Sequence, residues 1–108
     1  MYAAVRRYEG IIDDDEAARL VRDSFMPELE KVPGFIAYYW IDAGDGTMAS
    51  LSVFESKEEA DKSVEIAHNW VRDFASQMFP NPPQVTEGNV VAFETSRTYR
   101  RSGRDDAR

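Results

Sequence analysis

The chain has 108 residues, 20 acidic against 13 basic, for a formal net charge of −7. It has one histidine and no cysteine. That length supports one domain with one modest core. The missing thiols exclude disulfides, Cys-ligated zinc and thiol nucleophiles, and a single histidine excludes a His-rich metal site within one chain. The acidic balance argues against nucleic-acid binding, which needs a basic footprint. No EF-hand or similar oxygen-ligand spacing is visible. Met1 to Tyr8 lacks the apolar centre of a signal peptide, and no run reaches membrane-spanning length, so a cytoplasmic protein without membrane contacts is expected.

Tyr2 to Tyr8 reads as a short strand closed by Gly10. Asp13-Asp14-Asp15-Glu16 reads as a helix start, because carboxylates favour the positive end of the helix dipole. Ala18, Val21, Phe25, Leu29 and Val32 follow at helical spacing. Pro27 removes a backbone donor inside this pattern and predicts a kink or break near Met26. Pro33-Gly34 ends the helix, and Phe35 to Glu55 reads as a hairpin turning at Gly44-Asp45-Gly46.

Ser56-Lys57-Glu58-Glu59 has the form of a capping box. It opens a helix with the apolar stripe Ala60, Val64, Ala67, Val71, Phe74 and Met78. Pro80-Asn81-Pro82-Pro83 stops it. Val85 to Thr95 holds a last strand centred on Val90-Val91-Ala92-Phe93. The order is thus βαββαβ over residues 1–95, an α+β ferredoxin-like arrangement with an antiparallel sheet and both helices on one face. Residues 96–108 read as a solvated Arg-rich tail.

Side chains alternate along a strand. A turn centred within Gly44-Asp45-Gly46 puts Phe35, Ala37, Tyr39, Ile41, Met48, Ser50, Ser52 and Phe54 on one face of the hairpin. Ile36, Tyr38, Trp40, Ala49, Leu51 and Val53 fall on the other, and their uniform bulk places them under the helices. The first set mixes large groups with two serine hydroxyls, which suits a semi-polar cavity or a subunit interface. A two-fold homodimer covers such a face economically. Arg6 and Arg7 leave opposite faces of the first strand, so one of them points towards this cavity. There it can hold an anionic oxygen, or instead reach solvent or Glu94.

Pro33-Gly34-Phe35, the Tyr38-Tyr39 pair, Asp42-Ala43-Gly44-Asp45-Gly46 and Val53-Phe54-Glu55-Ser56 resemble the dimeric α/β barrels of the antibiotic-biosynthesis-monooxygenase type, over nearly the whole chain to Thr95. The resemblance implies a homodimer with face-to-face sheets and a small-molecule pocket in each half. It further implies oxidation of an aromatic or polyketide-like compound by dioxygen without a cofactor. In such chemistry the substrate enolate itself reduces dioxygen, and the protein supplies an apolar pocket, oxyanion donors and a base. Tyr39 is then the hydrogen-bond donor, Arg7 or Arg6 the anion stabiliser and His68 a candidate base. Ala37, Ile41, Met48 and Phe54 form the wall, and Ser50 and Ser52 orient a ligand oxygen. The chain departs from the family where a tryptophan is common (Phe54) and where a helix histidine is common (Ser63). The first strand also lacks the asparagine of haem-degrading members, which disfavours that activity. Trp70 reads as edge packing. The alternative function is a non-catalytic barrel that binds a small molecule or serves a stress response.

Overall fold

The computed structural model describes residues 1–96; the rest of the tail read at 96–108 lies outside the described residues. Strand β1 (Tyr2–Tyr8) leads to a first helical arm made of α1 (Asp14–Leu20), a π-helical segment (Val21–Phe25) and α2 (Met26–Leu29). The hairpin β2 (Phe35–Gly44) and β3 (Thr47–Phe54) follows. The second arm is α3 (Lys57–Trp70) with a π-helical segment (Val71–Ala75), and β4 (Gln84–Asn89) comes last. The strands form one antiparallel sheet in the order β2-β3-β1-β4. Both arms pack on the same face, which gives the expected α+β ferredoxin-like fold.

The helix starts follow local chemistry. Asp13 caps α1, its carboxylate accepting from the Glu16 amide at 3.0 Å. Ser56 occupies the N-cap of α3, but its hydroxyl donates to the Glu59 carboxylate at 2.9 Å rather than accepting from the backbone. That carboxylate lies against Gly34, at φ +81°, where a Cβ would collide with it.

Each arm carries a π segment opening on Val-Arg-Asp. In the first arm the buried residues Ala17, Val21, Phe25 and Leu29 are spaced by four. An α-helix drifts about 40° per four-residue step, so three steps would carry the last side chain far around the helix. A wider π turn absorbs the drift. The break expected near Met26 is this segment followed by α2, with Pro27 in the first turn, where its missing donor is harmless. In the second arm Ala60, Ser63, Ala67 and Trp70 are buried at α spacing, and the next buried residue, Ala75, is five further on. The inserted residue shifts the stripe. Phe74, expected inside, is 69% exposed, and Ala75 and Phe79 take the core positions; Val64, also expected inside, is exposed before the π segment begins, with Ser63 buried instead.

The hairpin faces also differ from the simple alternation. Gly44, Asp45 and Gly46 all have positive φ and close the turn. The ladder then slips between Asp42 and Gly44, because the Asp42 carboxylate accepts the Gly44 amide at 2.9 Å and leaves Ala43 unpaired. From there Trp40 pairs with Ser50 and Tyr38 with Ser52, and a second bulge at Ile36 restores the phase at Phe35 opposite Phe54. A one-residue slip turns a strand over. Tyr38 and Trp40 therefore do face the helices, but they share that face with Met48, Ser50, Ser52 and Phe54. Leu51, Val53 and Ala49, expected there, lie on the opposite face with Tyr39, Ile41 and Ala37.

The last strand sits earlier than expected, pairing Gln84–Asn89 with β1. The Val90 amide still donates to the Met1 carbonyl at 2.9 Å, after which Val91 and Phe93 stand 94% and 68% exposed.

Candidate functional site

The helix face of the sheet carries Tyr2, Ala4, Arg6 and Tyr8 from β1, with Arg6, Ser50 and Trp40 forming one row across β1, β3 and β2. Above this row the two helical arms do not close completely. A void of about 10 Å³ remains, lined by Arg6, Tyr8, Tyr38, Trp40 and Ser50 from the sheet. Val21 and Phe25 of the first π segment, Trp70 and Val71 of the second arm, Ala67 and Phe79 complete it. That is room for about one water molecule. Beside it a groove of about 300 Å³ runs outwards, sharing Arg6, Tyr8, Ala67, Val71 and Phe79 and bounded further by Val64, His68, Pro80 to Pro83 and Val85.

Arg6 is 5% exposed, and among the described residues no carboxylate pairs with it. Among the described residues its Nη2 has no hydrogen-bond partner, and the same is true of Trp40 Nε1. Each such buried donor costs about 1–3 kcal/mol. The contrast with Trp70 is local. Its indole N–H donates to Ser24 Oγ at 2.8 Å, and its ring is core packing against Phe25 and Phe79, not the edge packing expected. Tyr8 and Tyr38 lie beside Arg6. Burial pushes both hydroxyls above their ordinary range, and the Arg6 charge opposes this only partly. Both tyrosines are therefore neutral donors at physiological pH.

The residues singled out from the sequence separate into two groups. Arg6 and Ser50 meet in the void, and His68, on the exposed side of α3, joins Arg6 at the groove. Tyr39, Ile41 and Ala37 lie on the opposite face of the sheet, with Tyr39 58% and Ile41 50% exposed. Arg7 also points to that face and pairs with Glu9 at 3.2 Å. Met48 and Phe54 are fully buried core on the helix face, outside the void, Phe54 against Phe35 with ring centroids 5.8 Å apart. Ser52 donates to the Ala4 carbonyl at 3.4 Å, and Ser63 donates to the Ala60 carbonyl at 2.6 Å, so neither hydroxyl faces a ligand. Tyr38, Trp40, Tyr8 and Phe79 were not singled out as site residues. The Asx-type turn at Asp42-Ala43-Gly44 is the sequence signal for the slip that sets Tyr38 and Trp40 beside Ser50 and Ser52.

Among the described residues no cluster of three or more His, Cys, Asp or Glu side chains is placed to hold a metal ion, and no helix is long and apolar enough to cross a membrane.

No family model matches the chain, and no curated protein does so either. Solved structures do. The protein NE2512 of unknown function from Nitrosomonas europaea aligns with a TM-score of 0.67 at 18% identity, over 88% of this chain and 93% of that one. A monooxygenase from the gene ActVA-Orf6 of Streptomyces coelicolor, in complex with nanaomycin D, aligns with a TM-score of 0.67 at 17% identity, over 88% and 92%. Rv0793 from Mycobacterium tuberculosis aligns with a TM-score of 0.67 at 18% identity, over 87% and 98%. The chain thus has the fold of the antibiotic biosynthesis monooxygenases and of several proteins of unknown function built on the same plan.

Proposed function

We propose that the chain is a cofactor-independent, monooxygenase-like protein that takes a small aromatic compound into the groove between its sheet and second helical arm. The observation that carries this reading is the joining of a ligand-sized, largely apolar groove to a buried arginine that pairs with no carboxylate among the described residues, with the chain's one histidine at the rim. The fold adds support, since the ActVA-Orf6 monooxygenase that shares it holds nanaomycin D. In this reading His68 accepts the acidic proton of the bound phenol or enol. Arg6 stabilises the oxyanion so formed; dioxygen takes one electron from the enolate, the resulting superoxide and carbon radical recombine to a protonated peroxide, and the peroxide loses water to leave one oxygen on the substrate as a carbonyl. Tyr39, on the far face, has no part.

The test is dioxygen consumption with an anthrone-like phenol. Uptake is expected, lost in Arg6→Met, reduced at least about tenfold in His68→Gln by the usual contribution of a general base, and unchanged in Tyr39→Phe. Absence of uptake by a well-folded protein overturns the oxidase reading.

The alternative, a non-catalytic ligand-binding barrel, is favoured by one observation. Tyr8, Phe25, Trp40, Trp70 and Phe79 fill most of the interior with their own rings and leave a void of only about 10 Å³. Binding of an aromatic ligand without dioxygen uptake selects it.

A homodimer completes the proposal. The far face of the sheet presents the rows Ala3-Val53-Ala37, Val5-Leu51-Tyr39 and Arg7-Ala49-Ile41, apolar except for Arg7 and the Tyr39 hydroxyl. No element among the described residues covers it, and a second copy would.

A further inference from the structure

The geometry points to an aryl carboxylate as the ligand of the cleft, with its acidic group at Arg6 and Trp40 and its ring in the groove. This rests on the reading of the groove as the ligand site but not on any oxidation. Arg6 and Trp40 line the same void, and each carries a buried donor with no hydrogen-bond partner among the described residues, Arg6 Nη2 and Trp40 Nε1. The two residues occupy one row of the sheet, separated only by Ser50, so their side chains flank the void from strands on either side of β3. A guanidinium keeps its charge at every physiological pH. Its burial without a carboxylate is costly unless an anion joins it.

The size of the void selects the anion. At about 10 Å³ it admits one oxygen-sized atom and cannot enclose a whole phosphate or sulfate group, and among the described residues Arg6 is the one Arg or Lys lining either space, which matches a singly charged anion. A carboxylate can send one oxygen into it while the other stays at the groove side of Arg6, which lines both spaces. A carboxylate is also ionised at neutral pH, whereas an ordinary phenol is not. Val64, Val71, Phe79, Pro80, Pro82 and Pro83 give the groove apolar walls that suit the flat remainder of the ligand.

The test uses 2-naphthoate and its uncharged analogue 2-naphthamide, titrated calorimetrically into the full chain at neutral pH. The acid is expected to bind at least about tenfold more tightly than the amide. Arg6→Met should abolish that preference, Arg6→Lys should retain part of it, and Trp40→Phe should weaken it. Tyr39→Phe should leave it intact. If Arg6→Met does not fold, the comparison of acid with amide on the unmodified chain and on Trp40→Phe decides. Equal affinity for the two, a preference that survives Arg6→Met, or binding of neither at millimolar concentration overturns the inference. Acid and amide competing with equal affinity would leave the groove as a ligand site whose void holds only water. Acid preference without dioxygen uptake from a phenol would uphold the inference and refute the oxidase reading alone.

Discussion

Arg6 and Arg7 are chemically identical neighbours with opposite fates. Alternation along β1 exposes Arg7 to solvent and Glu9, whereas Arg6 enters a space lined by Tyr8, Tyr38 and Trp40. The same burial gives the tyrosines a measurable signature. Their folded hydroxyls ionise above the ordinary value, because a buried tyrosinate is poorly solvated. The unfolded chain releases these protons near the ordinary value of about 10 while the folded chain still holds them. The stabilising contribution is therefore complete below that pH and is lost as the pH rises towards the folded values. Urea unfolding followed from pH 8 to 11 should show a midpoint that is steady at first and falls above about pH 10. In Tyr38→Phe the fall should be shallower, and an equal slope would show that Tyr38 is not the group held neutral.

At the level of elements, the fold is governed by single inserted residues. The bulge at Ala43 inverts β2 relative to β3, and the π segment at Val71–Ala75 moves Phe74 out and Ala75 in. Both devices leave the element in place and change which side chains it presents. Inserting one alanine between Ile41 and Asp42, with the bulge at Ala43 kept, would set Trp40 opposite Leu51 and Tyr38 opposite Val53 and so turn both away from the helices. The expected cost is at least about 3 kcal/mol, the scale of removing a large aromatic from a core. It would be read as a lower urea midpoint and a red-shifted tryptophan emission. An unchanged midpoint would mean the hairpin does not depend on the Asp42 turn for its phase.

For the whole molecule, the unsettled surface is the far face of the sheet, where Val5, Tyr39 and Ile41 are 42%, 58% and 50% exposed. If a second copy covers it, sedimentation velocity should give a dimer of the 12.3 kDa chain. Leu51→Asp should then shift the population to monomer without loss of helical circular dichroism, because Leu51 lies away from the helices. A monomeric unmodified chain would refute this.

The amino-acid sequence by itself determined the order of elements, the helix starts at Asp13 and Ser56, the turn at Gly44-Asp45-Gly46 and the ferredoxin-like class. These depend on capping, glycine conformation and apolar periodicity, all carried by residues close together in the chain. Which face each strand presents was decided only in three dimensions. The phase of a strand depends on every residue inserted before it, and the bulge at Ala43 rests on one local hydrogen bond, from the Gly44 amide to the Asp42 carboxylate. The cleft depends on the same phase. Arg6, Ser50 and Trp40 lie in separate stretches of sequence, and only the paired register of β1, β3 and β2 sets them in one row beneath the gap between the helical arms.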